Sequence, residues 1–179
     1  MIVMANTFLN NETIFLRAVE PEDLDLMYDL ENDPEMWFVS SFVEPYSRKA
    51  LWEYIEESSN DVFADKQLRL MIVLRETNET VGTIDLDNFD PRHSRAGVGI
   101  ALHRDARGRG IAAQALALLE EYAFRFLRIH QLYAYIPLGN AASLRLFETS
   151  GFRQTAVLED WIALQEGYGH VAVFQKINR

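Results

Sequence analysis

The chain predicts an α/β fold of the α+β kind: about seven strands in one mixed, mostly antiparallel twisted sheet, flanked by helices. Three observations predict it. Seven short apolar or β-branched runs alternate with helical patterns in the order β-α-α-β-β-β-α-β-α-β-β. Most neighbouring runs are separated by turns that suit antiparallel pairing. The two strands flanking the longest helical pattern are joined by a crossover, so they run parallel.

Thr13–Ala18 (TIFLRA) is the first strand. Pro21 opens a helix through about Glu31, with Leu24, Met27, Tyr28 and Glu31 at helical spacing. Asn32-Asp33-Pro34 stops it. Ser47 is the N-cap of a second helix through about Ser58. Leu68–Leu74 and Thr80–Leu86 are strands joined by the turn at Glu76–Glu79. Arg95–Leu102 is another, with Gly97 and Gly99 at alternate positions, which points to a bulge or a close backbone approach. Ile111–Leu127 is the strongest helix, with Ile111, Ala115, Leu118, Leu119, Tyr122 and Phe126 on one face. Gln131–Ile136 is a strand. Asn140–Ser150 is a helix stopped by Gly151, and Phe152–Leu158 and His170–Ile177 are the last strands.

The 179 residues suit a single domain, 1–179. Hydrophobic residues make up 49% and charged residues 25%, the balance of a soluble globular protein. There are no cysteines, which excludes disulfides, thiolate metal sites and cysteine nucleophiles. The opening MIVMANTFLNNE lacks the features of a secretory signal, and no apolar run is long enough to span a bilayer. A cytoplasmic protein is expected. The net charge of −10 argues against nucleic acid or anionic membrane as partners. It suits a cationic partner, or it serves solubility alone.

Residues 107–116 read RGRGIAAQAL and follow a strand. Small residues there let the backbone approach a ligand, and the first turn of a helix leaves its N–H groups unpaired at the positive end of the dipole. Together they make an anion site suited to a pyrophosphate, to which Arg107 and Arg109 add charge. The absence of GK[ST] excludes a nucleoside triphosphate loop. Gly108-x-Gly110-x-x-Ala113 fits a relaxed dinucleotide fingerprint, but the next strand ends YIPLGN, without the acid that fingerprint expects. An arginine–glycine RNA-binding segment is the third alternative.

Arg107-Gly108-Arg109-Gly110-Ile111-Ala112 also resembles the [QR]-x-x-G-x-[GA] loop of the GNAT superfamily of N-acetyltransferases. Asn140-x-x-Ser143-x-x-x-Phe147-x-x-x-Gly151-Phe152 resembles that family's second signature. IFLRAVEPEDLDLMYDLENDPE and VGTIDLDNFDPRHSRAGVGIAL resemble the subgroup holding ribosomal-protein alanine acetyltransferases and bacterial spermidine acetyltransferases. The resemblance implies acetyl-CoA as co-substrate, no metal, and a splayed parallel strand pair that forms the cofactor cleft. By position, Ile100, Ala101 and Leu102 would offer backbone groups to the pantetheine arm. Arg107, Gly108, Arg109, Gly110, Ile111 and Ala112 would hold the pyrophosphate, and Asn140 would bond the arm or serve as a helix cap.

Such chemistry needs proton removal from an amine whose pKa is about 10.4 when lysine-like. It also needs an N–H donor for a developing oxyanion, for which a backbone amide near Leu102 is the candidate. Many relatives have tyrosine where this chain has Phe147, which has no proton to give and reads as a wall or core residue. Ser143, one helical turn from Asn140, is the candidate acid or sulfur contact. Asp85 and Asp87 face one side of a strand; Asp85 is a candidate base, and by the resemblance it corresponds roughly to an amine-binding acid of the polyamine acetyltransferases. Glu159 and Asp160 are expected to end the strand after the Asn140 helix, and the resemblance implies Glu159 as the other candidate base, since the alanine acetyltransferases have a glutamate in this region.

Glu31, Glu35, Trp37, Phe38, Glu44 and Tyr46 gather around the break between the first two helices. Carboxylates beside aromatic faces suit an ammonium ion, which makes Glu31, Trp37, Glu44 and Asp85 the candidate acceptor site. His93, His103, His130 and His170 show no metal-ligand spacing. The expected function is direct acetyl transfer from acetyl-CoA to a small cationic amine. The alternatives are a protein N-terminus as acceptor, or a non-catalytic acyl-CoA-binding module. A homodimer or higher homo-oligomer is expected from the resemblance.

Overall fold

The computed structural model describes residues 8–37, 45–59 and 61–179. It holds one seven-stranded sheet in the order β1-β2-β3-β4-β5-β7-β6. The strands are β1 (Ile14–Ala18), β2 (Leu68–Leu74), β3 (Thr80–Asp90), β4 (Arg95–Leu102), β5 (Gln131–Pro137), β6 (Arg153–Ala163) and β7 (Tyr168–Ile177). Every neighbouring pair is antiparallel except β4 and β5, which run parallel on either side of helix α5 (Ile111–Glu121). The mixed sheet read from the sequence is therefore present, with its parallel pair where the crossover demands it.

The remaining helices are α1 (Leu24–Glu31), α2 (Pro34–Trp37), α3 (Arg48–Glu57), α4 (Val62–Asp65) and α6 (Ala141–Thr149). Ser47 caps α3 by accepting the Ala50 N–H at 3.1 Å. Pro34 does not merely stop α1 but starts α2, because proline suits the first helical position. Pro21–Asp23 forms a 3₁₀ turn rather than the start of α1. Asp23 explains it: its carboxylate takes the Glu20 N–H at 2.9 Å and two Arg17 donors at 2.6 and 2.8 Å.

Three boundaries differ from expectation for local physical reasons. β3 runs past Leu86 because Asp87 and Asp90 still pair with Gly97 and Arg95, the irregularity falling where Asn88 has φ 45°. The long helix widens into a π turn over Tyr122–Phe126, with the Leu127 N–H reaching the Tyr122 carbonyl at 3.0 Å. That turn keeps Ala123 buried but puts Phe126 on the surface, 60% exposed, instead of on the buried face. Glu159 and Asp160 do not end β6. They lie in a register shift between Leu158 and Ile162, where Asp160 takes φ 49° and donates its N–H to His170 Nδ1 at 3.0 Å.

α5 and α6 pack on one face of the sheet. Leu16, Ile72, Ile84, Leu86, Val98 and Leu132 meet Leu116, Leu119 and Phe147 there. Each such buried side chain contributes roughly 1.5–3 kcal/mol of apolar transfer. On the other face, Met27 of α1 and Leu51 of α3 meet Met71 and Val73 of β2. Thr83 pairs with Met71, so Asp85 and Asp87, at the next alternate positions of β3, lie on this second face. Among the described residues no helix is long and apolar enough to cross a membrane.

Candidate active site

The parallel ladder between β4 and β5 has only three residue pairs: Arg95 with Gln131, Ala96 with Leu132, and Gly97 with Tyr133. β4 continues to Leu102 with no partner on that side. The His103 N–H bonds the Val81 carbonyl at 2.9 Å, which sets the alternation between β3 and β4. Ala101 and Gly99 therefore exchange main-chain bonds with β3, while Val98, Ile100 and Leu102 turn theirs toward the gap. Of the three residues expected to face the cleft, Ile100 and Leu102 do so. Ala101 uses its main-chain groups on β3. The Leu102 carbonyl accepts from Arg107 Nε at 3.0 Å.

The gap leads to the turn before α5. Gly108 and Gly110 have φ of 73° and 74°, and no atom lies within 4 Å of where a Cβ would stand. Glycine is needed here for its left-handed conformation, with open space above the backbone. The Gln114 N–H reaches the Gly110 carbonyl at 3.3 Å, so the amides of Ile111, Ala112 and Ala113 precede the first helical bond and point outward. That arrangement fits a pyrophosphate.

The arginines of this turn differ in their engagements. Arg107 contacts Glu35 at 3.3 Å and Asp33 at 3.6 Å, and Arg104 donates to Asp33 at 3.0 Å. The Arg104 hydrogen bond holds the Asp33 carboxyl below the usual carboxylate range. Arg109 has no carboxylate within ion-pair distance among the described residues. A cleft of about 320 Å³ lies beside this cluster, lined by Tyr28, Asn32, Asp33, His103, Arg104 and Arg107 among others.

α6 faces the gap from the end of β5. Asn140 is its N-cap, its Oδ1 accepting the Ser143 N–H at 3.1 Å. That bond leaves the Asn140 amide NH₂ available. Ser143 is half-buried, and its hydroxyl makes no hydrogen bond among the described residues. Phe147 is 3% exposed and stands edge-on to Phe152 at 4.9 Å, so it belongs to the core. Glu159 is exposed in the bulge of edge strand β6, which β7 separates from β5.

The acceptor candidates meet around a residue that the motifs did not flag. Arg69 donates to both oxygens of Asp85, at 3.0 and 2.8 Å, and to Glu31 at 2.6 Å. Its guanidinium also lies over the Tyr54 ring at 5.7 Å. Burial opposes the Arg69 charge, but Asp85 and Glu31 more than offset this and raise its pKa. The structure thus brings Glu31 and Asp85 together, with the protein's own cation between them. An arginine inside the apolar run LRLMIVL was the available signal. Trp37 closes α2, its side chain outside the description, and Phe38 and Glu44 lie outside the described residues. Asn32 ties the two ends of that segment, its side chain bonding the Tyr46 N–H at 2.9 Å and carbonyl at 3.1 Å.

A seven-stranded sheet whose one parallel pair opens toward a glycine turn defines an acyltransferase fold. Residues 13–153 match the acetyltransferase (GNAT) domain, and the chain belongs to that family of acetyl-transferring enzymes. It is 28% identical over 154 residues to an uncharacterized N-acetyltransferase, p20, of Bacillus licheniformis, covering 86% of each chain. It is 26% identical over 145 residues to a spermidine N(1)-acetyltransferase of Vibrio cholerae, covering 79% of this chain and 80% of the relative. The solved spermidine N-acetyltransferase of Vibrio cholerae in complex with CoA and spermine superposes with a TM-score of 0.82 at 23% identity. It covers 94% of this chain and 97% of that one.

Proposed function

We propose that the chain passes the acetyl group of acetyl-CoA directly to a primary amine, its acceptor a small cation of the polyamine or diamine type. The observation that carries this reading is the edge of β4 beyond Gly97, which has no strand partner as far as Leu102 and leads into the outward-pointing amides before α5. Acetyl-CoA supplies an acyl thioester for attack by the acceptor nitrogen. The backbone at Gly108, Gly110, Ile111 and Ala112, with Arg107 and Arg109, would hold its pyrophosphate. Ile100, Leu102 and the Asn140 amide would hold the arm. The Ser143 hydroxyl would stand near the sulfur and relay to the departing thiolate the proton that the attacking amine gives up, leaving the serine unchanged. A backbone amide of β4 near Leu102 would meet the developing oxyanion.

The polyamine reading is supported by the net charge of −10, by Glu31 and Asp85 sharing one site, and by the named activity of the spermidine-acetylating relative. A second reading, a protein N-terminus as acceptor, is favoured by Arg69, which neutralises carboxylates that a polycation would use. We also include a homodimer or higher homo-oligomer, supported by Val157, Trp161, Leu164 and Tyr168 standing exposed on β6 and β7 or the turn between them.

The test is thiol release from acetyl-CoA with spermidine, spermine, putrescine, aminoglycosides, and alanine- or serine-starting peptides. Polyamine-stimulated release is expected. Release with peptides alone would move the acceptor to protein N-termini. Acetyl-CoA binding without release would favour a binding module, and no binding would overturn the reading of the β4–α5 turn.

A further inference from the structure

We propose that the acceptor's ammonium group docks on the Asp87 carboxylate against the ring of Tyr133, at the closed end of the β4–β5 gap. This rests on the amine-acetylating function proposed above and names a subsite for it.

The place comes from the register. Asp87 of β3 pairs with Gly97 of β4, and Gly97 pairs with Tyr133 of β5. The three residues lie in a row on one face of the sheet, with the glycine in the middle. At about 4.8 Å per strand, Asp87 and Tyr133 stand roughly 10 Å apart across a floor without a side chain. A Cβ on Gly97 would lie 2.0 Å from Asp87 Oδ1. The carboxylate therefore leans over the glycine, toward Tyr133. This is the last rung before the strands part. From Leu102 to Val98 β4 is about 13 Å long, and the gap closes one residue further on. A group carried along the free edge of β4 arrives at this floor.

Asp85 has both oxygens on Arg69, whereas Asp87 accepts from a neutral side chain: Asn88 Nδ2, at 2.9 Å from Oδ1. Among the described residues no lysine or arginine lies within ion-pair distance of Asp87. Burial pushes the Asp87 carboxyl up, and the charge of Asp85 adds to this against the pull of Asn88. Burial and then Asp87 itself raise the Tyr133 phenol. Tyr133 is half-buried and its ring is braced edge-on by Tyr135 at 5.5 Å. An ammonium would bring the missing positive charge to the carboxylate and a cation to the ring face.

The experiment uses spermidine, or whichever amine of the panel the intact enzyme acetylates fastest. Wild-type turnover tests the function on which the subsite rests, and given that turnover the variants test the subsite. Asp87→Asn keeps the shape and removes the charge. It should raise the amine KM by about tenfold or more while the acetyl-CoA KM stays within about twofold. Asp87→Glu should recover part of the loss. Tyr133→Leu should raise the amine KM about threefold, and Tyr133→Phe, which keeps the ring, should cost less. Calorimetric titration of the amine onto CoA-saturated protein should show the same order of affinities without any turnover. Thermal melts and CoA binding report folding. An unchanged amine KM and affinity in Asp87→Asn would overturn the subsite, as would equal losses for amine and acetyl-CoA.

Discussion

Arg69 holds Asp85 through two nearly parallel bonds, Nε to Oδ1 at 3.0 Å and Nη2 to Oδ2 at 2.8 Å, with the two residues paired across β2 and β3. The forked geometry is the one in which guanidinium and carboxylate bind most strongly. The side chains are 17% and 23% exposed, so the pair is largely removed from water.

Breaking such a pair from one side should cost more than the pair contributes as a whole, because a charge is left in a dry site. Arg69→Leu should lower the unfolding free energy by about 3 kcal/mol in urea titrations at pH 7. It should also restore a place for an external cation. Millimolar spermidine should raise the melting temperature of the variant more than that of the wild type. Equal shifts would show that Arg69 does not limit polyamine binding at Glu31 and Asp85.

Much of this architecture was legible in the sequence because its periodicities are local. The apolar alternation of β2, the stripe of α5 and the Asn140 cap each state their own geometry. What was not legible depends on pairing between distant segments. The strand Thr80–Leu86 gives no sign of reaching Asp90 until β4 supplies Gly97 and Arg95 opposite Asp87 and Asp90. Glu159 reads as a strand end until β7 runs on beside it. The glycine turn announced an anion site, but the sharing of Glu31 and Asp85 by Arg69 joins residues 38 and 16 positions apart. Gly97 and Gly99 suggested a close approach. The partner at Gly97 is the Asp87 carboxylate, which only the register could name.

Lys176 and Glu120 give a pH-dependent test. Lys176 Nζ lies 2.5 Å from Glu120 Oε2 and 2.6 Å from the Ser150 carbonyl, while Glu120 Oε1 is buried with no hydrogen-bond partner among the described residues. Burial raises the Glu120 carboxyl despite the pull of Lys176. Lys176→Met should cost about 2 kcal/mol at pH 7, below the range for a fully buried pair because Lys176 is 28% exposed. A carboxyl with a raised native pKa binds its proton sooner in the folded chain. Its penalty is thus present above that pKa and fades as pH falls through it. The deficit of the variant should therefore shrink between pH 7 and pH 5 in denaturant titrations. A deficit that is constant or grows would assign the loss to packing.

Gly110 and Gly97 should fail differently when replaced by alanine. Space above Gly110 is open, so Gly110→Ala meets only the backbone penalty of φ 74°, about 1–2 kcal/mol. If the helix loosens its first turn to relieve it, the outward amides lose their aim. Acetyl-CoA affinity should then fall about tenfold, read by calorimetry, a loss of about 1.4 kcal/mol. Gly97→Ala drives a methyl into the Asp87 carboxylate and should alter the amine KM first. Loss of CoA affinity in Gly97→Ala with none in Gly110→Ala would reverse the assignment of the two glycines.

Ser143 tests the proposed route for the thiolate's proton. Asn140 Oδ1 accepts the Ser143 backbone N–H, which sets the start of α6 and with it the position of the hydroxyl. Because the hydroxyl has no hydrogen-bond partner among the described residues, Ser143→Ala should leave stability within about 0.5 kcal/mol of wild type. Asn140→Ala should cost about 1 kcal/mol through the lost cap. A thiol of pKa about 8.5 leaves fairly well unaided, so the expected fall in kcat for Ser143→Ala is about tenfold, smaller than for a poor leaving group. The acetyl-CoA KM should change little in Ser143→Ala and rise in Asn140→Ala. Raising the pH should narrow the kcat gap between Ser143→Ala and wild type, since a thiolate that persists in solution needs its proton less. A kcat equal to wild type at pH 7, with the amine saturating, would remove Ser143 from the chemistry and leave it a residue of the α6 turn.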